Sequence, residues 1–217
     1  MGKLHSIFKI NGKVGDFVYY TLNGKPVVRK AAGKRKGPKS KNDQARTLNS
    51  IEFGKASVAG KILRQALMED VLKLNDRYLY QRVNRLVMQL RILDSRAPGN
   101  RTVAGGLLTK EGEAIMAAFE FHKKPVDFPK LRSATHQGST LRIVVAVVSN
   151  KPSELLEVQV NFDKGLFRKH YHSFPNGLSE RIVDLKRKFR SRKGYTDFVI
   201  VSGKGFLQGV VLTCYPT

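Results

Sequence analysis

The sequence predicts an α+β protein: an N-terminal β-hairpin or meander with a basic tail, a helical middle, and a C-terminal antiparallel β-sandwich or barrel. Three observations predict it. Asn-Gly pairs lie between β-prone runs near the start, apolar residues recur at helical spacing in the middle, and short β-rich runs follow one another from Leu141 to the end. The segments divide as 1–41, 42–125 and 138–217.

Residues 3–31 read KLHSIFKINGKVGDFVYYTLNGKPVVRKA, with Asn11-Gly12 and Asn23-Gly24 as turn signals. A type I′ turn needs positive φ at both central residues, which Asn tolerates and Gly accepts freely. A three-stranded meander is expected, only marginally stable without something to lean on. Then comes RKAAGKRKGPKSK at 29–41, where seven of thirteen residues are basic (Arg29, Lys30, Lys34, Arg35, Lys36, Lys39, Lys41) and none is acidic. With no large apolar residue, this tail is expected to stay disordered until it meets a counter-charge.

Residues 43–73 read as a helix whose apolar face holds Leu48, Ile51, Ala59, Ile62, Leu63 and Ala66. Glu52 and Lys55 intrude on that face, and Gly54 and Gly60 weaken it. A second helix is expected over 76–95, where Leu79, Val83, Leu86, Leu90 and Leu93 repeat at helical steps. Arg82, Arg85 and Arg96 line up beside that stripe, either as an ordinary solvated face or, given the charge of the chain, as a phosphate-facing one. Residues 96–106 read as a loop, 109–120 as a short helix, and the Pro-punctuated stretch after it as a connector. Six short β-rich runs then follow, the pattern of a sandwich or barrel.

Lys and Arg number 40 against 17 Asp and Glu in 217 residues, a net charge of +23 and a pI near 10.3. Solubility of a small domain needs a net charge of only about 2–8. The excess repels itself and calls for a polyanionic partner, of which phosphate backbones are the usual source. No apolar run approaches the roughly 18–20 residues of a membrane span. The start, MGKLHSIFKINGK, lacks the apolar core of a secretory signal, so a cytoplasmic protein with no membrane partner is expected. The one cysteine, Cys214, excludes an internal disulfide and reads as a structural thiol buried in a terminal strand.

Chemistry-bearing motifs are few. There is no Gly-x-Ser-x-Gly elbow and no phosphate loop, and Ser202-Gly203-Lys204-Gly205 reads as a tight turn. His170 and His172 put both rings on one strand face, a candidate metal pair. No acidic or Cys ligand accompanies them, however, and Arg168 and Lys169 oppose a cation. A half-buried strand surface is the simpler reading, with stacking of these rings and Tyr171 on bases as an alternative. Glu111 and Glu113 suit a helix start, and Glu180 and Asp184 read as ordinary charges beside basic neighbours. The expectation is a non-enzyme with no catalytic residue, no metal and no cofactor.

The second basic run is KRKFRSRK at 186–193, in which Lys186, Arg187, Lys188, Arg190, Arg192 and Lys193 surround Phe189. It reads as a strand end and loop on the rim of the β-domain. Guanidinium groups fork onto phosphates and stack on exposed bases, so an Arg-rich loop with an embedded aromatic suits RNA.

GKVGDFVYYTLNGKPVVRKA, then a basic Gly/Pro stretch and NDQARTLNSIEFGKAS, resembles the start of an uncharacterised family in Bacteroidota-type bacteria. The matching residues are Gly12 to Gly15, Tyr19, Gly24 and Lys25, Val28 and Arg29, and Gln44 to Phe53. The family's Pro after the Arg is replaced here by Lys30-Ala31-Ala32. The resemblance implies no activity.

The function expected from charge is therefore binding of nucleic acid, with structured RNA such as a ribosome or ribosome-associated particle preferred over DNA. An architectural DNA-binding protein and a structural subunit of a phage or secretion-like assembly are the rival readings. The expected contacts are the tail cations, Arg82 and Arg85, and the loop from Lys186 to Lys193.

Overall fold

The computed structural model describes residues 2–3, 10–22, 24–33, 41–123, 127–174, 176–178 and 180–214. The chain divides into two compact units, residues 1–40 and 41–217. In the first, β1 (Gly2–Lys3), β2 (Gly12–Val14), β3 (Phe17–Leu22) and β4 (Lys25–Lys30) form one antiparallel sheet in the order β1-β4-β3-β2. The expected meander is there, but its first turn is at Gly15-Asp16 and not at Asn11-Gly12. Gly15 takes φ +57°, the left-handed conformation that a two-residue hairpin turn demands, whereas Gly12 opens β2. In the β3–β4 ladder Val18 faces Arg29 and Phe17 faces Lys30. Arg29 and Lys30 thus belong to a strand and not to a disordered tail, and at the tail's other end Lys41 opens a helix. The rest of that tail, residues 34–40 with Lys34, Arg35, Lys36 and Lys39, lies outside the described residues. None of residues 10–22 and 24–33 is buried, and Val14, Phe17 and Leu22 are exposed.

The second unit opens with helices α1 (Lys41–Ala66), α2 (Met68–Lys73), α3 (Leu79–Ile92), α4 (Val103–Leu107) and α5 (Lys110–Ala118). Strands β5 (Lys130–Gln137), β6 (Thr140–Val147), β7 (Ser153–Asn161) and β8 (Leu166–Phe174) follow. The last three are β9 (Ile182–Lys186), β10 (Thr196–Gly203) and β11 (Phe206–Cys214). The expected helix over 43–73 is split at Leu67. The buried face of α1 begins at Glu52 and continues through Ala56, Ala59, Ile62, Leu63 and Ala66, leaving Leu48 and Ile51 exposed. The reason lies in how α1 runs against α3. Arg64 reaches Tyr80 and Asn84 at the start of α3, and Glu52 reaches Arg91 at its end, so residues before Glu52 project past it.

Residues 103–107, expected in a loop, form α4. Two glycines in five residues argue against a helix, yet they are what lets it form here. A Cβ at Gly106 would overlap the carbonyl oxygen of Leu90, so α4 lies on α3 backbone to backbone. Thr102 caps it, accepting the N–H of Gly105 at 3.0 Å.

The seven strands form one curled sheet, a half-barrel, in the order β8-β7-β10-β11-β5-β6-β9. Neighbours are antiparallel except β11 and β5, which run parallel with Leu212 opposite Ala134. The sheet begins at Lys130, earlier than the expected position 138. On one face, Leu156, Val158, Val160, Phe198 and Ile200 join Ile62, Leu63, Val83, Leu86 and Leu90 from the helices. On the other, Leu155, Val199, Val201 and Val210 meet Leu131, Leu141, Ile143 and Val145 across the curl. Apolar on both faces at its centre, β10 reads in the sequence as an apolar run over residues 198–201. The helices and the sheet therefore share a core. The side chain of Cys214, expected to be buried, lies outside the described residues.

Candidate nucleic-acid interface

β7 carries a second register of residues on the concave face of the half-barrel. Where Leu155 points into the apolar core, Glu157, Gln159 and Asn161 follow at alternate positions, all buried. A buried carboxylate must be matched by donors, and Glu157 finds them in the basic loop after β9. The N–H of Lys188 donates to its Oε2 at 2.9 Å and its Oε1 at 3.1 Å, and the N–H of Phe189 donates to Oε2 at 3.4 Å. His172 on β8 completes the shell with Nε2 at 2.8 Å from Oε1. Gln159 continues the same pattern, its Nε2 donating to the carbonyl of Arg190 at 2.8 Å.

A third anchor is ionic. The side chain of Arg187 is only 5% exposed and pairs with Asp197 of β10 at 2.6 Å. The same guanidinium donates to Ser191 Oγ, and the Arg187 N–H donates to the Ser139 carbonyl in the β5–β6 turn at 2.7 Å. Burial pushes the Asp197 carboxyl up, against the pull of Arg187. Ser191 donates to Asp197 at 3.2 Å and stands 3.5 Å from His136 Nε2. The hydroxyl is thus turned to the carboxylate and not to the imidazole, the wrong order for a nucleophile–base relay.

With its backbone fixed from inside, the loop turns its remaining cations outward. Lys186, Lys188, Arg190, Arg192 and Lys193 are exposed, Arg192 lies over the Tyr195 ring at 5.7 Å, and Phe189 is half-buried. Among the described residues no carboxylate pairs with any of these five cations. The nearby acids Glu157 and Asp197 have been drawn into the fold. Beneath the loop, a cleft of about 590 Å³ runs between the β5–β6 turn and residues 186–191, with His136 on its wall. Burial, and then Arg187, holds His136 below its usual imidazole value, leaving it neutral at pH 7.

The other expected contacts are distributed differently. Arg29 and Lys30 are exposed at the end of β4, Lys41 is exposed at the first position of α1, and Arg85 is exposed on α3. Arg82 is not part of a phosphate-facing stripe. Its guanidinium binds Asp76 at 2.5 Å and donates to the carbonyls of Glu120, Phe121 and His122, tying α3 to the segment after α5. Arg187, just described, is likewise committed inside. Arg96 is held by Asp94, which also accepts the N–H groups of Arg96 and Thr102.

The His170–His172 pair does share one strand face, with rings 4.7 Å apart and perpendicular. His172 is occupied by Glu157, and burial, followed by His172 and Lys188, lowers His170 from its ordinary value. Among the described residues no group of three or more His, Cys, Asp or Glu gathers as a metal site. Tyr171 points the other way, into the helical core, with its hydroxyl on Asp70 and Glu69, and is not available for stacking on a base.

Glu157, Gln159 and Asp197 escaped the sequence reading. The signal of the first two was present in LLEVQVNF, where polar residues alternate with Leu and Val along the strand. That pattern ordinarily marks a solvated face, and here it marks a covered one. By fold and surface this is an α+β half-barrel protein bearing an internally anchored basic loop. No family model, curated relative or solved structure matches the chain. Among the described residues, no helix is long and apolar enough to cross a membrane.

Proposed function

We propose that the protein is a non-enzymatic nucleic-acid-binding protein that prefers structured RNA, and that the loop from Lys186 to Lys193 is its principal contact. The observation that carries this reading is the separation of charge across the loop. Its acids are sequestered beneath it, and five cations face outward with no carboxylate partner among the described residues. A loop held by Glu157, Gln159 and Asp197 loses little conformational entropy on binding, which supports a preformed interface over a merely solvated one. Exposed Arg29, Lys30, Lys41 and Arg85 would widen the footprint, as would Lys34, Arg35, Lys36 and Lys39, which lie outside the described residues. The resemblance of the N-terminal motif to a Bacteroidota-type family stays part of this proposal and adds no activity to it. RNA is favoured over DNA because guanidinium groups with an embedded Phe189 suit unpaired bases as well as phosphates.

The test is the ratio of absorbance at 260 and 280 nm after purification at low salt, before and after nuclease. We expect co-purified RNA that RNase removes, and its loss in a Lys188→Ser/Arg190→Ser variant. Removal by DNase instead would favour the architectural DNA-binding reading. A preparation free of nucleic acid that sediments as large oligomers would favour an assembly subunit.

A further inference from the structure

The cleft under the basic loop is lined by residues 136, 138–139 and 186–191. At about 590 Å³ it falls within the roughly 300–1,000 Å³ of small-molecule sites. No acid lines it. Its wall combines Lys186, Lys188 and Arg190 with two flat groups, Phe189 and His136, both half-buried, and the small turn residues Gly138 and Ser139 leave its mouth open. Cations beside planar rings in a concave site suit a ligand that is anionic at one end and flat and aromatic at the other. A bare anion needs no ring, and an apolar molecule needs no lysine.

We infer that this cleft takes a single unpaired nucleotide of a bound strand, with its phosphate on the lysines and Arg190 and its base against Phe189 and His136. The inference rests on the nucleic-acid reading above and deepens it. A base inside a duplex is stacked and paired and cannot enter such a cleft, so the preferred target has at least one unpaired position. The walls do not need to assemble on binding. The Lys188, Phe189 and Arg190 backbone is held from below by Glu157 and Gln159, and the turn is tied to the loop through Ser139 and Arg187. A neutral His136 at pH 7 presents one nitrogen as donor and one as acceptor, suited to a base edge.

The experiment uses the full chain with two RNAs of equal length, a hairpin carrying 2-aminopurine in its loop and a blunt duplex carrying it in the stem. We expect fluorescence of the loop label to change on binding and affinity for the hairpin to exceed that for the duplex by about tenfold, the worth of one stacked base. Phe189→Ala should remove the preference while leaving duplex affinity in place. Ser139→Trp, which fills the cleft from the exposed β5–β6 turn and keeps the backbone carbonyl that accepts the Arg187 N–H, should do the same without changing any residue of the loop. Equal affinity for hairpin and duplex, insensitive to both variants, overturns the cleft and leaves the basic loop as a backbone clamp. If neither RNA binds, yet 5′-AMP but not inorganic phosphate shifts the NMR signals of Phe189 and His136, the nucleotide site stands and the nucleic-acid reading falls. If neither RNA nor 5′-AMP binds, both fall.

Discussion

The carboxylate of Glu157, buried in β7, accepts the backbone N–H of Lys188 at 2.9 Å, so an acid in the fold holds a basic loop in place. The contact joins the concave face of the half-barrel to the exposed cations of the loop after β9. Opposite charges usually meet through side chains. Here the acid takes the backbone and leaves the Lys188 ammonium free to face outward.

Replacing Glu157 with Ala should therefore cost both stability and order. It strands the N–H groups of Lys188 and Phe189 and one nitrogen of His172, a loss of about 3 kcal/mol. At roughly 2–4 °C per kcal/mol for a chain of this size, Tm should fall by about 6–12 °C. Hydrogen exchange should show the Lys188 and Phe189 amides losing protection before the rest of the sheet. Unchanged protection at those two amides would mean that the anchor is not Glu157.

Arginines in one run should behave in opposite ways. Lys188→Ser with Arg190→Ser should leave Tm unchanged and flatten the dependence of log affinity on log salt by about 1.4–1.8, two phosphate contacts' worth. Arg187→Ser should leave Asp197 buried without its partner and lower stability by about 3 kcal/mol. Urea unfolding beside a salt titration of RNA binding separates the two. A Tm drop for the double variant, or none for the Arg187 variant, would contradict the assignment.

Arg82→Met keeps much of the aliphatic stem but removes the bonds to Asp76 and to three carbonyls around Phe121. The expected cost is about 3 kcal/mol in urea unfolding. Nucleic-acid affinity measured well below Tm should not change. A weakened, less salt-sensitive affinity with intact stability would return Arg82 to the interface.

Asp94 ties stability to pH. Burial alone would raise its carboxyl, but the bonds from Arg96, the Thr102 N–H and the Arg96 N–H outweigh burial and hold it well below the usual carboxylate range. The folded value is thus below the unfolded one of about 3.9. The stabilisation is complete above that pH and is lost as pH falls through the folded value. Asp94→Asn should cost about 3 kcal/mol at pH 7, with the gap to wild type closing steadily below about pH 4. A gap independent of pH would show that the carboxylate's charge is not what Asp94 contributes.

What could be read from the sequence was whatever depends on local periodicity and composition. The apolar steps from Leu79 to Leu90 place α3 on the core whatever packs against it, and the alternation and β-branching after Leu141 commit that region to strands. The excess of Lys and Arg points to a polyanion however the chain folds. Long-range partners were not legible, because a side chain's environment is set by residues far away in sequence. Glu52 looked like an intruder on an apolar helix face, and it is a buried acceptor for Gly99 and Arg91. Gly105 and Gly106 looked like a loop, yet the small size of Gly106 seats α4 on α3 and that of Gly105 leaves room for the Asp94 carboxylate. Arg82 and Arg187 look no different in sequence from Arg85 and Arg190. Only the tertiary structure brings Asp76 and Asp197 to the first pair and leaves the second exposed, because a guanidinium is drawn out of solvent only where a carboxylate is placed to receive it.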